Sequence, residues 1–315
     1  MLSIVVPIFN EQKNIAPLYT ELTLVLNKLG KPYEIICVDD GSKDNSLEEL
    51  KSIHKKDSKV KIISFRRNFG QTAALAAGFD YAKGDIVVSI DADLENRPEN
   101  IFDLIEKMDE GYDIVCGWRY NRWAGGLKDL LFRRIPSEAA NLLVRKISNL
   151  SLHDIGCTLR AYKKFVVKEI NLYGDMHRFI PVIANINGAR IAEIKVDYQP
   201  RKYGKSKYGF SRTLKVFVDL ILLKFLVGYS TKPSRFFGLL GFWTSFLGIL
   251  FGLNLTYEKL VLGQNIGNRP LLLLSILLMI LGVQFITMGL LAEIIMRTYY
   301  ESQGKKIYTV REEVL

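Results

Sequence analysis

Two aspartates, Asp91 and Asp93, leave an apolar run containing Val87, Val88 and Ile90. Where a strand continues through them, its alternation points both carboxylates the same way. Two oxygen ligands on one face suit Mg²⁺ or Mn²⁺, with the phosphates of a substrate completing the shell. A solvated Asp-x-Asp surface turn is the competing reading. A second pair, Asp39 and Asp40, ends another β-branched run, just ahead of Gly41 and Ser42. These carboxylates could hydrogen-bond ribose hydroxyls or a base edge, or close the strand by Asp-Gly turn chemistry.

The elements that must position these residues follow from the hydrophobic pattern. Short β-branched runs recur at 3–8, 33–38, 61–65, 85–90 and 113–116, with helical patterns between them at 15–29, 47–55, 72–82 and 101–110. Such alternation means βαβ units, a parallel sheet and a ligand crevice at the carboxyl ends of the strands. The residues just past each strand are therefore the ones to read: Asn10-Glu11, Asp39-Asp40-Gly41-Ser42, Arg66-Arg67-Asn68, Asp91-Ala92-Asp93 and Trp118-Arg119. A dinucleotide fingerprint would follow the first strand as GxGxxG, and Phe9-Asn10-Glu11-Gln12 stands there instead. Gly204-Lys205-Ser206 has the look of a P-loop ending, but Gln199 stands where the first glycine of that motif belongs.

Composition narrows the class further. The chain has 315 residues, 49% of them hydrophobic and 24% charged, and its net charge is +10. Cys37, Cys116 and Cys157 are too few and too scattered for a disulfide framework, and three histidines provide no zinc spacing. Residues 236–257 and 270–292 carry no charge, and each stretch is long enough to span a bilayer core of about 30 Å as a helix. The start of the chain reads as a buried strand rather than a signal peptide. Nine Lys/Arg against Asp219 alone occupy 201–235, so much of the net charge precedes the first apolar stretch. Anionic lipid attracts such a cluster at about 1 kcal/mol per charge, which favours a membrane partner over nucleic acid. Within it, residues 211–228 form an amphipathic pattern suited either to the membrane interface or to packing on the domain. Excess Lys/Arg flanking the apolar pair predicts that both termini face the cytoplasm.

Taken in order, several motifs resemble family 2 glycosyltransferases of the GT-A fold. The resemblance is to the branch of dolichyl-phosphate mannose synthases and bactoprenol glucosyltransferases. The matching residues are Val5-Val6-Pro7 with Asn10-Glu11, Val38-Asp39-Asp40-Gly41-Ser42, Arg67-Asn68-Phe69-Gly70, Asp91-Ala92-Asp93-Leu94, Asp154-Ile155-Gly156-Cys157, and Arg201 with Gly204-Lys205-Ser206-Lys207-Tyr208. The resemblance implies an α/β fold, a Rossmann-like, mainly parallel sheet with flanking helices, followed by a two-helix transmembrane region. It divides the chain into a cytoplasmic GT-A domain (1–210), an interfacial segment (211–235), two spans (236–257 and 270–292) and a cytoplasmic tail (293–315). It places Pro7, Glu11, Asp39 and Asp40 on the nucleotide sugar, Asp91 and Asp93 on the metal and diphosphate, and Arg119, Arg133, Ser137, Arg201, Ser206 and Lys207 on the acceptor phosphate. Asp154 matches the aspartate taken as catalytic base. Glu95 stands where the family often has Gln, which leaves it as a possible third metal ligand.

The implied activity is a polyprenyl-phosphate hexosyltransferase of the inner membrane. It would transfer one sugar, with UDP-glucose favoured over GDP-mannose or a UDP-N-acetylhexosamine, to undecaprenyl phosphate. A phosphate monoester with a second pKa near 6 is already largely dianionic at neutral pH, so Asp154 could orient the sugar instead of acting as a base. Two rivals remain. A processive polysaccharide synthase needs more membrane helices and a QxxRW motif, and Arg119 stands in the Gln position before Arg122-Trp123. A non-catalytic membrane adaptor would dispense with the ordered aspartates. Gly238, Gly241, Gly248 and Gly252 would permit a homo-oligomer, and the strand-like stretch 306–310 could pair with a neighbouring subunit.

Overall fold

β1 (Leu2–Ile8) and β2 (Tyr33–Asp39) are apolar along most of their length and buried on both faces. That is the pattern of inner strands in a parallel sheet covered by helices on both sides. The computed structural model describes residues 1–122, 135–148, 150–170, 172, 174, 176–200, 233–303 and 310–314. The regular elements of its first part are β1, α1 (Gln12–Leu29), β2, α2 (Ser46–Lys56), β3 (Val60–Phe65), α3 (Gln71–Tyr81), β4 (Ile86–Ser89), α4 (Ile101–Asp109) and β5 (Ile114–Trp118). There follow α5 (Ile135–Ser148), β6 (Arg160–Lys163), α6 (Lys164–Glu169), α7 (Ile180–Ile186), β7 (Ile191–Lys195), the long helices α8 (Pro233–Leu260) and α9 (Pro270–Gln303), and β8 (Val310–Val314).

Among the described residues, eight strands form one sheet in the order β7-β5-β6-β4-β1-β2-β3-β8. The pairs β1/β2, β1/β4, β2/β3 and β5/β7 are parallel, whereas β6 runs antiparallel to β4 and β5, and β8 antiparallel to β3. Sidedness follows from alternation. Leu2, Ile4, Val6 and Ile8 face the apolar stripes of α1, α2 and α4, while Val5 faces α3, where a Cβ on Gly78 would strike its side chain. The chain steps outward from β1 to β2 to β3, then returns to place β4 on the other side of β1. A crevice opens at such a reversal, outside the carboxyl ends of the two strands that flank it.

Two compact units emerge, one holding the sheet and one comprising 221–305. In the second, α8 and α9 form a hairpin whose apolar stretches, Phe236–Leu260 and Pro270–Ala292, are long and apolar enough to cross a membrane and leave most of their residues unburied. Three of the glycines expected to permit oligomerisation, Gly241, Gly248 and Gly252, pack inside this hairpin, whereas a Cβ on Gly238 would meet open space. A Cβ on Gly241 would meet the Gly282 carbonyl, one on Gly248 would lie 2.8 Å from the Ser275 carbonyl, and one on Gly252 would lie 3.1 Å from the Ser275 hydroxyl. Ser275 donates its hydroxyl to the Gly248 carbonyl at 2.8 Å. β8 pairs with β3 of its own chain, while 306–309 of the strand-like tail lie outside the described residues.

Candidate active site

The crevice at the β1/β4 reversal is lined by Pro7, Ile8, Phe9 and Glu11 from the end of β1, by Asp91, Ala92 and Asp93 beyond β4, and by Asp40, Asn68, Gly70 and Gln71 opposite. Loops from neighbouring strands are stitched together to form its rim. Asn10, in a left-handed conformation at φ 54°, donates its N–H to Ser42 and accepts the Lys43 N–H on its side-chain oxygen. Glu11 N–H donates to Ser46, and the Glu11 carboxylate accepts from Asn14 at 2.6 Å. Gly41 turns at φ 66°, where a Cβ would lie 2.5 Å from the Arg67 backbone, so the second and third strand loops can approach only around a glycine.

The two aspartates at the end of β2 do different work. Asp39 is 1% exposed and accepts the Ser42 N–H and the Ser64 hydroxyl. Asp40 reaches the crevice, yet its oxygens accept the N–H groups of Phe69 and Gly70 at 2.7 and 2.9 Å and the Asn68 amide at 2.8 Å. Burial raises its pKa, those N–H groups pull it back in part, and Asp39 alongside adds to the rise. Asp40 therefore anchors the segment that opens α3.

Asp91 and Asp93 do not continue a strand, as the alternation argument assumed. β4 ends at Ser89, and the two residues occupy a turn that closes with Leu94 at φ 59°. A bulky residue in that region stores strain, a feature that clusters at ligand sites. Asp91 accepts from Gln71 at 2.8 Å and from Thr158 at 2.6 Å, and Asp93 accepts the Glu95 N–H at 3.1 Å. Glu95 directs an oxygen to within 4.0 Å of the Arg119 guanidinium. Among the described residues no three His, Cys, Asp or Glu side chains converge as a metal cage.

Arg119 follows β5 and meets Asp154 in a bidentate pair, Nε to Oδ2 at 2.7 Å and Nη2 to Oδ1 at 3.0 Å. Burial alone would raise the Asp154 carboxyl, but the Arg119 guanidinium overrides it and holds the carboxyl below its ordinary value. The guanidinium assigned to acceptor phosphate is thus engaged with the residue assigned as base. Glu193 on β7 supports the same loop by accepting the N–H groups of His153 and Asp154 and the His153 ring at 2.8 Å. His177 is buried, its ring bonded to Thr72 at 2.7 Å, in keeping with a packing role. Ser137 falls in α5; its side chain lies outside the described residues, as do Arg133, Arg201, Ser206, Lys207 and the stretch 211–232.

Sequence reading missed Gln71, Thr158 and Glu193. Gln71 directly follows the quoted Arg67-Asn68-Phe69-Gly70 motif and was within reach, whereas Thr158 and Glu193 are marked by no local pattern.

Comparison with known proteins agrees with this architecture. The family model described as glycosyl transferase family 2 matches residues 3–170. The dodecaprenyl-phosphate galacturonate synthase of Rhizobium johnstonii is 40% identical over 315 residues, covering 99% of this chain and 92% of that protein. The undecaprenyl-phosphate 4-deoxy-4-formamido-L-arabinose transferase of Shewanella sediminis is 37% identical over 98% of this chain and 91% of its own length. Among solved structures, glucosyl-3-phosphoglycerate synthase from Mycobacterium tuberculosis shares the fold at a TM-score of 0.54 and 17% identity, over 72% of this chain and 78% of that one. With its GT-A architecture and relatives named as polyprenyl-phosphate sugar transferases, the chain belongs to glycosyltransferase family 2.

Proposed function

We propose that the protein is a membrane-bound inverting transferase that moves one sugar from a nucleotide sugar to a polyprenyl phosphate such as undecaprenyl phosphate. One observation carries the reading: a family 2 chain combines a crevice edged by Asp91 and Asp93 with a pair of helices long enough to cross a bilayer. Relatives matched along nearly the whole chain, and named for lipid-phosphate acceptors, support it.

In this reading Pro7, Glu11 and the buried Asp39 frame the nucleoside pocket. Asp91 and Asp93 would hold Mg²⁺ or Mn²⁺, which when bound neutralises charge on the leaving diphosphate. Two carboxylates fit that role, because Mg²⁺ is usually held by one or two carboxylates plus substrate phosphates. An oxygen of the dianionic acceptor phosphate forms its bond to the anomeric carbon as the bond to the diphosphate breaks on the opposite face. Arg133, Ser137, Arg201, Ser206 and Lys207 receive the acceptor phosphate, where guanidinium forks make charge-assisted pairs. Arg119 keeps Asp154 ionised, so that Asp154 orients the sugar and stabilises positive character at carbon. The protein would sit in the inner membrane with both termini cytoplasmic. β8 shares a sheet with β1, which requires an even number of crossings between them.

UDP-glucose is the donor expected from the two-helix architecture, and the relatives' names add a uronate and a formamido-pentose as competitors. Purified protein incubated with undecaprenyl phosphate, Mg²⁺ or Mn²⁺ and labelled UDP-glucose, UDP-galacturonate, UDP-N-acetylglucosamine, GDP-mannose or a nucleotide-linked formamido-pentose should move label into organic solvent from one donor. EDTA should abolish the transfer, and the product should carry a single sugar. Binding of nucleotide sugar without labelled lipid from any donor would sink the acceptor assignment, and a polymer would favour the processive class.

A further inference from the structure

Both oxygens of Asp91 are held by neutral donors from separate parts of the fold. Gln71, the first residue of α3, donates its amide to Oδ1 at 2.8 Å, and Thr158, two residues before β6, donates its hydroxyl to Oδ2 at 2.6 Å. Each donor is itself braced. Asp40 accepts the N–H of Gly70 immediately before Gln71, and the next residue, Thr72, bonds the buried His177 ring. The Thr158 carbonyl accepts the Ser89 hydroxyl, which ties this segment to the end of β4. Two residues on, the Arg160 guanidinium donates to the carbonyls of Ile155 and His177 at 2.6 and 3.0 Å.

This bracing matters because Asp91 stands on a turn, where strand alternation does not dictate the direction of its side chain. Two hydrogen bonds, one to each oxygen, fix the plane of a carboxylate.

We propose that Gln71 and Thr158 are positioning residues for the cation site. They clamp the Asp91 carboxylate so that it and Asp93 face the crevice together, and they thereby set the affinity for a divalent cation with a nucleoside diphosphate. The inference rests on the reading that Asp91 and Asp93 hold that cation. Groups bonded to ligating carboxylates typically alter metal affinity or activity by about 10–100-fold when removed.

The test is a titration of full-length protein in detergent with Mn²⁺, free ion being read by electron paramagnetic resonance, with UDP or GDP present, whichever the wild type binds. Gln71→Met and Thr158→Val remove the donors at similar volume, and Thr158→Ser restores a hydroxyl. Mn²⁺ affinity should weaken about tenfold in each of the first two and return to within about twofold of wild type in the third. Transfer lost at low Mn²⁺ should recover at high Mn²⁺. Thermal melting confirms that each variant is folded, and Gln71→Met alone suffices if Thr158→Val is not. Folded variants that bind Mn²⁺ as tightly as wild type overturn the clamp while leaving the cation site intact. Wild-type protein that binds Mn²⁺ with neither nucleotide overturns the cation reading, and the clamp with it.

Discussion

Arg119 grips Asp154 through two parallel bonds that span 35 residues of sequence, and both side chains are nearly excluded from solvent. Removing one member of such a pair leaves the other charge buried and uncompensated, at a cost of about 3–5 kcal/mol. Arg119→Met should therefore lower thermal stability sharply, and Arg119→Met combined with Asp154→Leu should recover much of the loss. If the double variant melts no higher than the single one, the pair does not account for the loss.

The same pair contributes to the stability of the fold in acid. Because the Asp154 carboxyl is held below its ordinary value, its ionised form persists well into acid. Its stabilising contribution is present above the ordinary carboxylate range and is lost as pH falls through the lowered folded value. At neutral pH the group that titrates is instead the acceptor phosphate, so kcat/KM should rise as pH passes about 6. Asp154→Asn should depress the plateau and leave that midpoint in place. Disappearance of the midpoint in the variant would make Asp154 the titrating group.

Asp91→Asn and Asp93→Asn should each reduce sugar transfer by about 10²-fold or more, the scale on which losing a stabiliser of transition-state charge is felt. Membrane insertion should be retained, since both lie in the sheet unit rather than in the α8/α9 hairpin. Near-normal transfer in both variants would remove the metal assignment.

His177 gives the fold a second acid sensitivity. Burial, with Arg178 and Arg160 nearby, pushes its ring down to about 3 from 6.5. The unfolded chain takes up a proton that the folded chain refuses. Stability should be full above about pH 6.5 and fall as pH drops toward 3, by at most about 1.4 kcal/mol per pH unit. Melting of His177→Gln measured between pH 7 and 4 should show a flatter decline. A slope equal to wild type would assign the acid sensitivity elsewhere.

At the opposite end of the sheet from the crevice, Glu34 is 2% exposed and accepts from Ser3, Lys61 and the Lys83 N–H, binding β1, β2 and β3 to the turn before β4. Burial opposes its charge, but Lys61 and Ser3 lead in holding its carboxyl below the ordinary value. Glu34→Ala should cost about 3 kcal/mol of stability, seen as a lower melting temperature, without changing KM for the nucleotide sugar. A raised KM in folded Glu34→Ala would show coupling to the crevice.

Much of this architecture is carried by local pattern. The first five strands and four helices lie within a few residues of where β-branched runs and apolar stripes put them, because period-2 and period-3.6 patterning is a property of contiguous residues. Uncharged length alone likewise marks α8 and α9 as helices able to cross a membrane. Position past a strand end marks Glu11, Asp40, Asp91 and Asp93, the family resemblance adds Pro7, and all five line the crevice.

Tertiary structure decided what those residues touch. Asp91 is aimed by Gln71 and Thr158, 20 and 67 residues away, and Arg119 answers to Asp154 rather than standing free. β8 joins the sheet by pairing with β3, nearly 250 residues earlier. No window of sequence contains such pairings. They form only when the packed sheet brings distant loops to one end and burial makes an unpartnered carboxylate or strand edge too costly to leave.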